Sequence, residues 1–411
     1  MTVVSPIIVI DLTRTDKNPM TFSRLLAAAG QFGALFGAGA ARRDQERQLP
    51  REEIASLAGA GLLAARVPRE YGGSGVSLSE WVRLMLPLAQ GDPNIAQAIQ
   101  PHACGIEKLR IYGTPAQRRR YLGVIGDGAL ITNASAERDT GVVGQIATRL
   151  AREGAGWRLD GTKHYATGSL FAQYFYVLAN DDNGGRALAL LPVDRRGVHI
   201  KDDWNGMGQR TTASGSVTFD HVLLADDEIL PLPEWKTRRT YEGAFAQLLH
   251  AVIDTGIALG ALEDAAEYGR SRARPVSDAR VDRAGDDPYV QQAVGEMSVL
   301  AHGAEALVGR AAGRLEQAMA LFWRGADAER ALGEASVAVA EAKVAAEQAA
   351  LRVSEMLYRV GGAGATVQTL NLDRHWRNAR THTTHDPIAY KTKTIGDFVL
   401  NDRLPPIGTK I

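Results

Sequence analysis

The sequence predicts an α+β fold with an N-terminal helical domain over residues 20–130, a middle small antiparallel β-domain over 131–235, and a C-terminal four-helix bundle over 236–411. The hydrophobic pattern has a helical period in the first region, changes to short alternating or β-branched runs in the second, and returns to long helical segments in the third. A run of helices, then strands, then helices is typical of segregated α and β layers.

The first domain is predicted from Ala- and Leu-rich segments. Pro50 precedes one of these segments at a first-turn position, where its missing N–H costs nothing. Glycines and a proline interrupt the pattern between residues 61 and 75. The predicted helices cover residues 26–41, 51–63, 77–90, 94–111 and 115–122.

The middle domain is predicted from short runs rich in β-branched residues. Turn signals such as Asp160-Gly161 and the stretch 182–185 (DNGG) separate them, as expected of an antiparallel barrel or sandwich. The predicted strands cover residues 147–152, 157–163, 175–179, 187–192, 198–201 and 216–222.

The third domain is predicted from three long segments, residues 241–271, 288–323 and 327–360, the last ended by Gly361-Gly362. Long helices separated by short breaks indicate an up-down bundle, and a fourth helix is expected near the C-terminus.

Composition excludes several classes of function. Lys+Arg and Asp+Glu are equal at 47 each, so nothing indicates a nucleic-acid or membrane partner. Cys104 is the only cysteine, which excludes an intramolecular disulfide and cysteine-based metal sites and suits a reducing cytoplasm. The stretch 1–20 has an apolar run that is too short to span a membrane and poor as a signal peptide, so we expect a loose arm there.

Four segments carry a resemblance to a known family. They are residues 61–75 (GLLAARVPREYGGSG), 157–163 (WRLDGTK), 210–222 (RTTASGSVTFDHV) and 361–364 (GGAG). In this order and spacing the chain resembles the acyl-CoA dehydrogenase superfamily over about residues 20–400. The resemblance implies that family's fold, a bound flavin and a homotetramer in which flavin sites span two subunits.

Two stretches depart from the dehydrogenases of that superfamily. Residues 132–137 (TNASAE) stand where the flavin loop usually reads Thr-Glu-Pro. Asp386, followed by Pro387, stands where a catalytic Glu followed by Gly is common. The histidine-rich stretch 378–387 instead resembles the dibenzothiophene monooxygenase branch and related sulfur-acquisition enzymes. This implies oxygenation with O2 and reduced FMN, or alternatively FAD, delivered by a separate NAD(P)H-flavin reductase.

His382 and His385 are the first candidates for catalysis. Imidazole titrates near neutrality and can hold or protonate oxygen bound to a reduced flavin. A spacing of three places both rings on one face of a helix, whereas helix-end or surface histidines are the plain alternative. Asn133 is the third candidate, because the resemblance places an Asn there against the flavin, although the sequence alone favours a turn Asn.

The stretch 163–169 (KHYATGS) is predicted to pack against the flavin ring. Tyr165 and Thr167 would share one face of a strand, with Ser169 as a weaker candidate, although Tyr and Thr also simply favour strands. Trp204 lies in a glycine-containing loop, where it would wall the flavin or an aromatic substrate or else plug the space between domains.

Flavin phosphate contacts are predicted at the end of the first bundle helix. Arg272 and Arg274 suit bidentate phosphate binding, which the resemblance places across a subunit boundary, but arginines also complement a helix C-terminus. The resemblance brings the glycine turn close to the flavin tail, and His102 is a candidate for the substrate cavity. The residues of that turn are Gly361, Gly362 and Gly364.

The leading hypothesis is therefore a two-component flavin monooxygenase that oxidises a sulfur, nitrogen or aromatic carbon of a small organic substrate. An FAD-dependent acyl-CoA dehydrogenase with Asp386 as its base is the second hypothesis. A flavin-binding protein without catalysis is the third.

Overall fold

The N-terminal domain is helical in the computed structural model, which describes residues 20–138, 140–142, 144–232 and 237–408. Ser77 and Glu80 form a capping box that begins α3, and Asp92 caps α4 through the N–H of Asn94 at 3.0 Å. The helices are α1 (Phe22–Glu46), α2 (Arg51–Gly59), α3 (Leu78–Gly91), α4 (Pro93–Tyr112), α5 (Pro115–Gln117) and α6 (Gly123–Gly126), with a π-helical turn at Arg118–Leu122 between the last two.

The second predicted helix was too long at its C-terminal end. It stops at Gly59, and Gly61 has a φ of +73°, a left-handed conformation that ends a helix and that glycine adopts readily. The predicted loose arm lies outside the described residues, apart from Met20. The predicted boundary at 235–236 also falls outside them.

The middle domain is one mixed sheet in the order β6-β7-β3-β2-β4-β5-β8, with β1 paired to β4. The expectation of a purely antiparallel sheet was wrong, because β1 and β2 both run parallel to β4. The short strands β1 and β8 were also missed. The strands are β1 (Ile131–Ala134), β2 (Arg149–Glu153), β3 (Gly156–Lys163), β4 (Tyr174–Asp181), β5 (Arg186–Pro192), β6 (Val198–Ile200), β7 (Val217–Leu224) and β8 (Ile229–Pro231).

The C-terminal domain is built around one central helix, α7, which packs against α3, α4, α8, α9 and α10. Among the described residues, only α7 is long and apolar enough to cross a membrane, and 89% of its most apolar window is buried inside the fold. That burial is the pattern of a core helix. The helices are α7 (Glu242–Ser271), α8 (Pro288–Trp323), α9 (Glu329–Gly361), α10 (Arg374–Thr383) and α11 (Ile388–Asn401), and α11 supplies the expected helix near the C-terminus.

Candidate active site

Three imidazole rings meet where α7, α10 and the turn after α10 come together. His250 lies in the middle of α7, His382 near the end of α10, and His385 in the turn that follows. Ring centroids of His250 lie 5.1 Å from His382 and 4.2 Å from His385, and Nδ1 of His250 is 3.1 Å from Nε2 of His382. These three residues are called the histidine cluster below.

His382, at one end of the histidine cluster, is bonded to a buried ion pair. Nδ1 of His382 lies 2.6 Å from Oδ1 of Asp254, and the other carboxylate oxygen of Asp254 accepts a hydrogen bond from Nζ of Lys343 on α9. All three side chains are almost completely buried. A buried carboxylate on an imidazole Nδ1 fixes the ring's orientation and tautomer.

His385, at the other end of the cluster, is bonded to Asp386. Nδ1 of His385 lies 3.1 Å from Oδ2 of Asp386, and Nε2 of Gln247 donates to the same oxygen at 2.7 Å. Nζ of Lys391 is 3.9 Å away. The carboxylate is buried while the His385 side chain is 47% exposed, so His385 is the member of the cluster that an incoming molecule reaches first.

These contacts set the charge states of the acids. Burial opposes ionisation of Asp254, but the charges of His382 and Lys343 outweigh it and lower its pKa. The same balance holds for Asp386, where burial is outweighed by the hydrogen bond and charge of His385 and by the charge of Lys391, so its pKa is lowered. Both carboxylates are therefore ionised near neutral pH.

The buried imidazoles are shifted the other way. Burial lowers the pKa of His250 far below its usual range, and the charges of His385 and His382 add to that shift. Burial also lowers the pKa of His382, although Asp254 opposes the shift. The two buried rings are therefore neutral near pH 7.

Two helices connect the cluster to the β-domain. On α4, Asn94 accepts a hydrogen bond from the N–H of Thr211 at 3.3 Å, and one turn later the amide of Gln97 lies 3.2 Å from Nε2 of His382. On α10, Asn378 accepts from the N–H of Gln209 at 2.7 Å, one turn before His382. The loop 209–214 is thus about one helical turn, roughly 5 Å, from the cluster.

Hydroxyl groups of the β-domain line this same loop. The hydroxyl oxygens of Thr167 and Ser214 are 2.8 Å apart, and Ser169 donates to the carbonyl of Ala213 at 3.1 Å. Gly168 has a φ of +79°, and a Cβ there would come within 2.5 Å of the carbonyl oxygen of Ala98 on α4. The predicted residues Thr167 and Ser169 are therefore held against the helical domain.

Tyr165 and Trp204 form an aromatic wall beside Ser214. Their rings make an edge contact at 6.1 Å between centroids, and Trp204 Nε1 donates to the carbonyl of Gln209 at 2.7 Å. The strand argument for Tyr165 was wrong, because β3 ends at Lys163 and Tyr165 has a φ of +57°. The loop brings it near Thr167 through tertiary packing and not through strand alternation.

Several buried polar atoms at the site have no hydrogen-bond partner among the described residues. The whole side-chain amide of Gln209 is one case, and Oδ1 of Asn133 on β1 is another. Oγ1 of Thr211 and Oε1 of Gln247 are also unpaired. Buried amides are normally satisfied, so these atoms fit a ligand with several ring nitrogens and carbonyl oxygens, as the flavin ring has.

The predicted phosphate contacts lie elsewhere. Arg274 lines an open cleft with Gly361 and Gly362, and Arg272 follows the end of α7. From Asp254 to Ser271 the helix rises about 26 Å at about 1.5 Å per residue. The glycine turn packs on Tyr268, since a Cβ on Gly364 would lie 2.6 Å from the Tyr268 hydroxyl.

The structure gives His102 a structural position. Nδ1 accepts from the N–H of Ile131 at 3.1 Å, and Nε2 lies 2.8 Å from the carbonyl of Leu63. Burial lowers the pKa of His102 to about 4. With both nitrogens engaged by the backbone, the ring ties α4 to β1 and has no free nitrogen for a polar contact with a substrate.

Sequence reasoning missed the residues of α7 and α9 that complete the site, His250, Asp254 and Lys343. A signal was present, because Gln247, His250 and Asp254 are polar residues at helical spacing inside an otherwise apolar helix. Among the described residues, no group of three His, Cys, Asp or Glu side chains is arranged to hold a metal ion.

Comparisons with known proteins identify the family of the chain. Family models described as acyl-CoA dehydrogenase N-terminal, middle and C-terminal domains match residues 24–129, 132–222 and 248–389. The chain is 32% identical to a dibenzothiophene monooxygenase of Rhodococcus qingshengii, covering 96% of this chain and 95% of that one. It is also 32% identical to the probable FMNH2-dependent monooxygenase SfnC of Pseudomonas putida, over 92% and 95%.

Solved structures give the same relationship. The FMN-bound TdsC from Paenibacillus sp. A11-2 superposes with a TM-score of 0.89 at 31% identity, covering 94% of this chain and all of that one. The methanesulfinate monooxygenase MsuC from Pseudomonas fluorescens has a TM-score of 0.86 at 33% identity, over 94% and 99%.

Proposed function

The chain belongs to the acyl-CoA dehydrogenase family and, within it, is a flavin-dependent monooxygenase; we propose that it takes reduced FMN from a separate NAD(P)H-flavin reductase and oxygenates a small organic substrate with O2. FMN is preferred to FAD because the relatives named for a flavin cofactor are FMN proteins. The observation that carries the proposal is the histidine cluster, which is oriented by two ionised carboxylates beside unpaired buried amides.

The residues present fit a flavin ring between the β-domain and the bundle. Gln209 and Asn133 would satisfy their unpaired amide atoms on the polar edge of the ring, and Tyr165 and Trp204 would wall it. Reduced flavin, when bound, supplies the electrons that activate dioxygen. The chain supplies a preorganised polar site around the reacting atoms.

His385 and His382 have different roles in this proposal. His385 is anchored at Nδ1 by Asp386 and its side chain is 47% exposed, which supports a direct contact with the oxygen that is transferred. His382 is buried and bonded at both nitrogens, so it acts as a positioning residue for its neighbours rather than as the direct donor that the sequence suggested. Water is kept from the buried side of the cluster by α7 and α9.

Asp386 is poorly suited to the alternative role of dehydrogenase base. Abstraction of a proton next to a thioester needs a carboxylate whose pKa is raised towards neutrality. Here His385 and Lys391 hold the pKa of Asp386 below its usual range in spite of burial. The carboxylate is better suited to orienting His385.

We also propose that the functional assembly is a homotetramer. Arg272 and Arg274 follow the end of α7, about 26 Å along the helix axis from Asp254, which favours their contact with the flavin of a neighbouring subunit. Light scattering should give four copies at micromolar concentration, and a monomer would contradict the shared site.

The function is tested by supplying the purified chain with FMN, NADH and a separate flavin reductase under isotopically labelled O2. We expect labelled oxygen in the product of an organosulfur or heteroaromatic substrate, and no turnover when the reductase is omitted. Turnover by NADH with the chain alone would contradict the two-component arrangement. Reduction of tightly held FAD by an acyl-CoA would favour the dehydrogenase instead.

A further inference from the structure

The loop at residues 202–211 carries Trp204 and Gln209, which the proposed function places against the flavin. The loop belongs to neither neighbouring strand, since β6 ends at Ile200 and β7 begins at Val217. Gln209 has a φ of +51°, a conformation that side chains rarely adopt, and its carbonyl accepts the hydrogen bond from Trp204 at 2.7 Å. The position of both side chains therefore depends on what holds the loop from outside.

One guanidinium on α10 holds this loop to two other elements. Arg377 has five N–H donors, and five hydrogen bonds occupy them. Two bonds go to the carboxylate of Asp44 near the end of α1, at 2.7 and 3.2 Å, and one goes to the carbonyl of Met207 in the loop at 3.1 Å. The last two go to the side-chain oxygens of Asn371 and Asp373, both at 2.7 Å.

Asp44 binds the same surroundings from the other side of the ion pair. It is 3% exposed, and its carboxylate also accepts a hydrogen bond from Nδ2 of Asn371 at 2.9 Å. Its backbone carbonyl accepts one from Nε of Arg210, in the loop, at 2.9 Å. The loop is thus bonded to both members of the Arg377–Asp44 pair, which burial protects from screening by salt.

The backbone of the loop also lies directly on α10. A Cβ on Gly208 would overlap the carbonyl group of Arg377, and the N–H of Gln209 donates to Oδ1 of Asn378 at 2.7 Å. His382 follows four residues later on the same helix, about 6 Å along its axis. The seating of the loop on α10 therefore sets the distance between the aromatic wall and the histidine cluster.

A second arginine on α10 provides a comparison. Arg374 donates to Oδ2 of Asp264 on α7 at 2.6 Å and to the carbonyl of Asn371 at 3.2 Å. Its side chain is 11% exposed, against 19% for Arg377. Both bonds of Arg374 hold α10 to the bundle and neither reaches the loop, so the two arginines separate support of the helix from support of the loop.

We propose that Arg377 is a positioning residue for the flavin ring: its guanidinium joins α1, α10 and the loop 202–211 so that Trp204 and Gln209 meet the ring at a fixed distance from the histidine cluster. The proposal rests on the flavin site given above, and Arg377 acts through the loop. A lysine would keep the charge beside Asp44 but lacks the planar fork that bonds Asp44 and the loop carbonyl together.

The test compares two matched variants on one helix, Arg377→Lys and Arg374→Lys, in the full-length chain. We expect R377K to lower the affinity for oxidised FMN and for riboflavin alike by roughly tenfold. The loop must then be ordered as the ring binds, and fixing one backbone residue costs about that factor. R374K should bind both flavins within about twofold of the unsubstituted chain. Quenching of flavin fluorescence measures binding, and urea unfolding confirms that both variants are folded.

A double-mutant cycle with Trp204→Phe shows whether Arg377 acts through the aromatic wall. R377K and W204F would remove overlapping contributions, so their combined loss of riboflavin affinity should be smaller than the product of the single losses by about threefold or more. The losses in R374K and W204F should multiply within about twofold, as expected for independent sites.

Four results would overturn the proposal. These are unchanged riboflavin affinity in R377K, an equal loss in R374K, losses in R377K and W204F that simply multiply, or a loss for FMN alone, which would place Arg377 with the phosphate contacts. None of these measurements involves turnover, so the labelled-oxygen test decides the proposed function separately. Failure of that test in a chain that binds flavin would remove the monooxygenase function and leave the role of Arg377 standing.

Discussion

The middle and the C-terminal end of α7 carry polar residues of opposite kinds. In the middle, His250 and Asp254 are buried, and Asp254 is bonded to partners on both α9 and α10. At the end, Arg272 and Arg274 are exposed beside an open cleft. The buried residues are bonded to side chains of the same chain, and these bonds fix their proton positions. The exposed arginines are accessible to a ligand or to another subunit. Catalytic geometry and cofactor affinity should therefore respond to different substitutions.

The largest effect is expected from Lys343→Met in the buried group. Removing the ammonium leaves the carboxylate of Asp254 buried beside neutral His382, which should lower the free energy of unfolding by about 3–5 kcal/mol. Urea unfolding measures this. Arg310→Met is the matched control, since the side chains of the Arg310–Glu341 pair are 50% and 30% exposed and the pair should contribute no more than about 1 kcal/mol. Equal losses in the two variants would mean that burial does not distinguish the pairs.

His385→Ala should reduce oxygenated product by roughly a hundredfold, since losing one preorganised donor costs on the order of 3 kcal/mol in the barrier. Flavin affinity should stay within several-fold. His382→Ala should behave similarly, through the loss of positioning. Asp386→Asn should have a smaller effect, because the side-chain amide of the new Asn can still hold the ring of His385 by a hydrogen bond. Product and hydrogen peroxide are measured together, and full coupling in both histidine variants would refute the role of the cluster.

Arg274→Ala should lower flavin affinity and leave product formation by the bound flavin intact, the reverse of the histidine variants. We expect FMN affinity to fall by about tenfold, the scale of one charge-assisted contact, with product per bound flavin unchanged. Arg272→Ala should act in the same direction. Riboflavin, which lacks the phosphate, serves as the control ligand and should bind both variants and the unsubstituted chain alike. Loss of riboflavin affinity as well would place the arginines against the ring instead of the phosphate.

The last effect is confined to acid pH and concerns His102, a buried histidine with no part in the cluster. Its pKa is about 4 in the folded protein against about 6.5 when unfolded, so it is held neutral and its contribution to stability is complete above pH 6.5. That contribution is lost as the pH falls towards 4, at up to about 1.4 kcal/mol per pH unit. His102→Gln should flatten the dependence of unfolding free energy on pH in this window. An unchanged slope would show that the ring is not held neutral.

The fold was predictable because its signals are local. Helical periodicity located the long bundle helices, and α8 begins and ends at the expected residues. The sequence did not predict the four-residue strand β1, and it did not predict that β1 and β2 pair in parallel with β4. Both features depend on which strands come together in space. Gly61 ended α2 earlier than the apolar pattern suggested.

The sequence by itself determined the family, the order of the domains and two of the three clustered histidines, since motifs and residue types are properties of the chain. Only the tertiary structure decided what each histidine does. His102 and His250 both lie within helices, yet backbone groups occupy both nitrogens of His102, while the ring of His250 packs beside two other imidazoles. The reason is physical: protonation and hydrogen bonding depend on burial and on partners 29 to 132 residues away along the chain, and the local sequence specifies neither.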